Sequence, residues 1–157
     1  MQSAVERANW VDVYPTTLNL NSGYIEFEIV ATDEYIDLND TMLTVTAAIL
    51  AADGAAHDAT KVDAAFVNMP LYALFSDAVV FFNDDRVAGG DQTFAYKAIM
   101  STLLSNNEAL LKQQGISCGF IKDIAGSMDV TTATGHGDRK KWLAGKMFMG
   151  RLLLDIF

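Results

Sequence analysis

The chain reads as mainly β, an antiparallel sheet domain, and three stretches predict it. In residues 24–50, Ile25, Phe27 and Ile29 alternate with Glu26 and Glu28, and Leu43, Val45, Ala47 and Ile49 alternate with Thr44, Thr46 and Ala48. A period of two gives each strand one buried face. Residues 78–82, AVVFF, form a β-branched and aromatic run closed by Asn83-Asp84-Asp85, the pattern of a buried strand turning tightly into Arg86 and Val87. The last seven residues, RLLLDIF, set Leu152, Leu154 and Ile156 on one side and Leu153, Asp155 and Phe157 on the other. A strand apolar on both faces needs neighbours on both sides, so its partners are expected from outside this sequence or from another chain.

The remaining elements follow in order. Residues 1–23 carry Trp10, Val11, Val13, Tyr14 and Pro15 without sustained periodicity and read as an extended arm. Aromatics on such an arm dock on their own domain or on a neighbour's surface, and both readings are open. Residues 31–41 favour a turn through Asp33, Glu34, Asp37, Asn39 and Asp40, and residues 51–60 are a small, polar surface loop marked by Asp53-Gly54. Val62, Phe66, Met69 and Leu74 fall at helical spacing, but Pro70 limits any helix there to a short one. Gly89-Gly90-Asp91 opens the clearest helix, with Ala95, Ile99 and Leu103 on one ridge and Met100 and Leu104 on the next. Ser105 and Glu108 have capping-box spacing, and a second short helix over 109–114 ends at Gly115. Residues 116–124 are expected to supply a strand and 125–137 an exposed loop, while 142–149 fit helix and strand equally.

Composition narrows the function classes. The 157 residues are 51% hydrophobic, enough for one folded domain with its own core. Apolar runs are too short for a membrane span, and Glu6, Arg7 and Asp12 interrupt the place of a secretory signal's apolar core. The single Cys118 allows no intramolecular disulfide and suits a reducing compartment. Thirteen acidic residues lie between Asp12 and Asp85 against Lys61 alone, whereas Arg139, Lys140, Lys141, Lys146 and Arg151 share their segment with no acidic residue. An acidic body repels nucleic acid, and the basic run is either a solvated face or a partner for the acidic body of a neighbouring copy.

Chemistry-bearing patterns are sparse. His57 and His136 lie in small, polar stretches and read as surface histidines; with one cysteine no Cys/His zinc set can be assembled. Phosphate loops, nucleophile elbows and His-Glu-x-x-His helices do not occur. The carboxylates of 33–40 lack the glycine-centred spacing of a calcium loop and read as a solvated turn, and Asn39-Asp40-Thr41 matches a glycosylation tripeptide common enough to arise by chance. The chain is therefore expected not to be an enzyme and to carry no cofactor or metal.

Five motifs then occur in a specific order: YIDLNDTMLTVTAAI (35–49), VNMPLYALFSDAVVFFNDDRV (67–87), FAYKAIMSTLLS (94–105), KDIAGSMD (122–129) and GRLLLDIF (150–157). Together they resemble the N-terminal part of the hexon-like major capsid proteins of Polinton/Maverick elements and adintovirus-like viruses, with Lys97 in place of an expected arginine and Ala73-Leu74 in place of a more polar pair. The resemblance implies a double jelly-roll protein, so residues 24–157 would be its first jelly roll, without the last strands, carrying the helical insertion between strands. It further implies a structural virion protein located in the capsid, assembled inside the host cell. Its partners would be other copies of itself, as a homotrimer and then an icosahedral shell, with a minor capsid protein as a further partner and no sequence-specific nucleic acid. On this reading Trp10, Tyr14, Arg139, Lys140, Lys141, Leu152, Leu154 and Ile156 are the expected subunit-interface residues.

Two other readings share the fold class: a jelly-roll module binding carbohydrate or another ligand, and a domesticated, transposon-derived cellular protein that no longer builds shells. A metal-dependent enzyme is a distant fourth.

Overall fold

Apolar residues held near a proline-started turn, a glycine-rich turn and one strand make the centre of this protein. The computed structural model describes residues 8–17, 23–30, 32–33, 35–58, 63–128 and 130–153. Two units divide the chain, Met1–Ile36 and Asp37–Phe157.

In the first unit the described residues run without regular secondary structure. Thr16 donates from both its backbone N–H (2.8 Å) and its hydroxyl (3.2 Å) to the Glu26 carbonyl. The strand expected around Ile25, Phe27 and Ile29 does not form a ladder, and all three side chains are exposed. Alternation supplies a face, but a strand also needs a neighbour's backbone for its amides, and no ladder along this segment forms among the described residues.

The second unit opens with a 3-10 turn, Leu38–Asp40, and then β1, Met42–Ala47. β1 shows the expected alternation, with Leu43, Val45 and Ala47 turned toward the core and Met42, Thr44 and Thr46 toward solvent. Its partner is antiparallel: β4, Lys146–Arg151, with Val45 opposite Phe148 and Met42 opposite Arg151. The final strand thus lies earlier than RLLLDIF suggests. Leu152 still donates to the Thr41 carbonyl at 2.8 Å and packs on the core beside Leu153. Residues 154–157 lie outside the described residues.

Between these strands lie short helices and one hairpin. Pro70 stands first in α1, Pro70–Ala73, where its missing N–H costs no helical bond. The hairpin is β2, Val80–Phe82, and β3, Asp85–Ala88, antiparallel, with Phe82 opposite Asp85 and a bulge between Val80 and Phe81. Asn83 (φ 48°) and Asp84 (φ 72°) form its two-residue turn, the left-handed pair that matches strand twist. The turn is where the sequence puts it; the burial is not, because Phe81 and Phe82 are exposed.

α2 spans Phe94–Ser105, α3 Glu108–Gln113 and α4 His136–Lys140. α3 starts two residues later than a Ser105 cap would require: the Asn107 side chain caps it, accepting from the Leu110 N–H at 2.9 Å. Residues 116–119 make turns and 120–124 have no regular structure, instead of the expected strand. They still satisfy other backbones, since Met69 donates to the Gly119 carbonyl (3.2 Å), Leu71 to Cys118 (3.4 Å) and Met149 to Ser117 (2.8 Å). Gly119 (φ +90°) is confined to glycine, because a Cβ there would run into the Pro70 ring.

Phe148, wholly buried, is the hub of the core. Phe66 and Trp142 meet it edge to face, with ring centroids 5.5 Å and 5.7 Å away. Met69, Leu71, Tyr72, Phe94, Ala98, Leu111 and Cys118 complete the cluster. Tyr72 packs on Phe94 and anchors β4 by donating its hydroxyl to the Arg151 carbonyl at 3.1 Å; burial pushes its ionisation upward. The Cys118 thiol is raised in the same way and donates to the Gly115 carbonyl at 3.1 Å. Both sheets described are antiparallel and two-stranded, and neither closes into a sandwich among the described residues.

Candidate subunit interface

α2 is apolar on two opposite sides, and among the described residues only one of them is covered. Residues four apart share a helix face, so Phe94, Ala98 and Thr102 form one row and Tyr96, Met100 and Leu104 another, about half a turn away. The first row points inward: Phe94 meets Tyr72, Ala98 is buried, and the Thr102 hydroxyl donates to the Ala98 carbonyl at 2.7 Å. In the second row Tyr96 is 77% exposed and Leu104 79%, with Met100 and Leu103 also open to solvent. The sequence-based face of Ala95, Ile99, Leu103, Met100 and Leu104 is therefore split, with only Ile99 among its large residues packed on the core. Ala98 decides the side, because a methyl lets the helix backbone approach the core where Met or Leu would hold it off.

Charged groups hold the start of α2. Asp91 accepts from the Thr93 N–H (3.3 Å) and pairs with Lys97 at 2.8 Å; the Lys97 bond holds its carboxyl down at about 2. Asp77 accepts from Gly90 N–H at 2.7 Å, fastening the end of the hairpin to the chain before it. A recess between Asp77, Asp91, Phe94 and Leu153 has a volume of about 20 Å³, the room of a single water.

The hairpin is the second uncovered element. Phe81, Phe82 and Val87 are exposed on a two-stranded ribbon, a unit of marginal stability on its own.

The expected interface residues fare differently. Trp10 (75% exposed) and Tyr14 (80%) stand open in the first unit. Arg139 is not on the surface; at 5% exposure it is buried, and this corrects its place in an exposed basic patch. Its Nη1 pairs with Asp123 at 2.8 Å and its Nε donates to the Phe66 carbonyl at 3.0 Å. Asn68 completes the clamp by matching the backbone of Ile121, donating to its carbonyl at 2.8 Å and accepting from its N–H at 3.0 Å. Gly135 (φ +99°) is needed beside it, since a Cβ would collide with Asp123.

The rest of the basic run is also engaged within the chain. Lys140 reaches Asp63 at 3.2 Å, Lys141 reaches Asp138 at 2.7 Å, and Arg151 reaches Asp40 at 2.7 Å. Lys146 lies 3.8 Å from the Trp142 ring centroid, and burial lowers its pKa. Leu152 faces the core, while Leu154 and Ile156 lie outside the described residues. His57 and His136 are half-buried instead of free on the surface, and the His136 Nδ1 is enclosed without a partner among the described residues.

Among the described residues, no three His, Cys, Asp or Glu side chains are grouped to hold a metal ion, and no helix is long and apolar enough to cross a membrane. Compared with known proteins, the chain matches no family model, no curated protein and no solved structure.

Proposed function

We propose that the chain is a structural shell subunit, a hexon-like major capsid protein or part of one, with a jelly-roll architecture completed by strands beyond those described. It associates with copies of itself, as trimers and then as a shell, and resides in the virion. It performs no catalysis. One observation carries this reading: two of the motifs that carry the capsid resemblance hold large apolar side chains that stay exposed. Phe81, Phe82 and Val87 belong to the motif 67–87, and Tyr96, Met100, Leu103 and Leu104 to the motif 94–105. A helix apolar on both sides has its outer row at a contact, because monomers seldom leave such patches in water. Lateral contacts of this kind are individually weak and reversible, and they add up when many copies engage at once.

Electron micrographs of the purified chain test the proposal. Regular trimers, arrays or shells are the expected result. A uniform population of monomers at concentrations well above those of an assembling subunit contradicts it.

A further inference from the structure

β1 has an open backbone edge, and its hydrogen-bonding groups can be assigned to sides. The Met149 N–H donates to Ser117, away from β1, so Thr44 opposite Met149 is a non-hydrogen-bonded pair. The N–H and C=O groups of Met42, Thr44 and Thr46 therefore point away from β4, where no further strand lies among the described residues. The open window has clear limits. The 3-10 turn Leu38–Asp40 ends it on one side, and the strand itself ends at Ala47 on the other. Within it, MLTVTA has no proline, glycine or charge, none of the devices by which natural strands blunt an edge.

We propose that this edge pairs with β1 of a second copy, antiparallel about Thr44, giving a four-stranded sheet in the order β4-β1-β1-β4. Three features select a second copy as the occupant. Pairing about Thr44 sets Met42 opposite Thr46 of the other copy and Thr44 opposite Thr44, so every outward-facing residue meets an outward-facing one and about six backbone hydrogen bonds form. Leu43 then meets Val45 of the other copy, continuing the core-facing side, while the two Thr44 side chains adjoin on the solvent side. Two copies each of formal charge −9 must meet where they carry no charge; 41–49 is uncharged, and neighbouring Asp40 is paired with Arg151. The contact needs only two copies and does not rest on the shell reading.

Disulfide trapping tests the register. Paired residues in such a ladder have Cα atoms about 5.5 Å apart, within disulfide reach. Under mild oxidation T44C gives a dimer on a non-reducing gel. T46C alone does not, because the two Thr46 positions lie about 14 Å apart along the strands. The native thiol, Cys118, is buried and leaves the background low. T44P, which removes an amide that points away from β4 and bonds nothing among the described residues, lowers the mass found by light scattering while circular dichroism stays unchanged. Cross-linking of T44C no faster than T46C overturns the proposal, even if assembly through α2 is found; a T44C dimer from a chain that forms no shells upholds it and refutes the shell reading alone.

Discussion

The surroundings of Phe148 and the outer row of α2 have much the same apolar composition and opposite fates. Around Phe148 the chain supplies every neighbour: Phe66 and Trp142 against its ring, Tyr72 bonded to the strand beyond, and Arg139 held by Asp123 and the Phe66 carbonyl. Along Tyr96, Met100 and Leu104 it leaves the side chains largely exposed. The difference separates what this chain needs in order to fold from what is free for the proposed subunit contact. Folding free energy comes from the first region, and changes in the second leave it nearly untouched.

The largest effects are expected at the interior. Phe148→Ala removes a wholly buried ring and leaves a cavity, and should cost about 3–5 kcal/mol in denaturant unfolding. Arg139→Ala strands the Asp123 carboxylate and should cost a similar amount, about 3–5 kcal/mol, where an exposed arginine would cost under about 0.5. An Arg139→Ala chain as stable as the wild type would return that residue to the surface and dissolve the comparison.

A smaller effect comes from Glu108, which bridges Lys122 (2.8 Å) and Lys112 (3.0 Å). The Lys122 bond, with Lys112 second, holds its carboxyl down at about 2 from an ordinary 4.5. A depressed carboxylate stabilises the fold above its unfolded pKa, and that contribution is lost as pH falls through the folded value. Glu108→Gln should therefore flatten the acid limb of the stability curve between about pH 5 and pH 2, with the difference shrinking in high salt because the site is exposed. Identical acid limbs for the two chains would show that the bridge is inert.

Local features were legible in the sequence, and distant ones were not. β1's alternation, the Asn83-Asp84 turn, the stop at Gly115 and the short helix at Pro70 are each set by a few adjacent residues. The face of α2 was not legible because its apolar residues run all round, and the choice rests on Tyr72 and the small Ala98, which periodicity does not weigh. The Arg139 clamp joins residues 16 and 73 positions away, so the basic run gave no sign that its first member is interior. Ile25, Phe27 and Ile29 show the converse: alternation alone does not make a strand, and among the described residues they form no ladder. Ser105 at capping-box spacing lost to Asn107, whose side chain stands one turn before Leu110.

The central claim is that this chain completes its own interior and leaves the outer row of α2 for a copy of itself. Light scattering on the wild type and on the Tyr96→Glu, Leu104→Glu double variant tests it most directly. The account predicts a wild-type mass that is a multiple of 17.1 kDa, falling in the variant to no more than the mass of the β1-paired dimer while the thermal unfolding midpoint is unchanged. Equal masses in the two chains would contradict it.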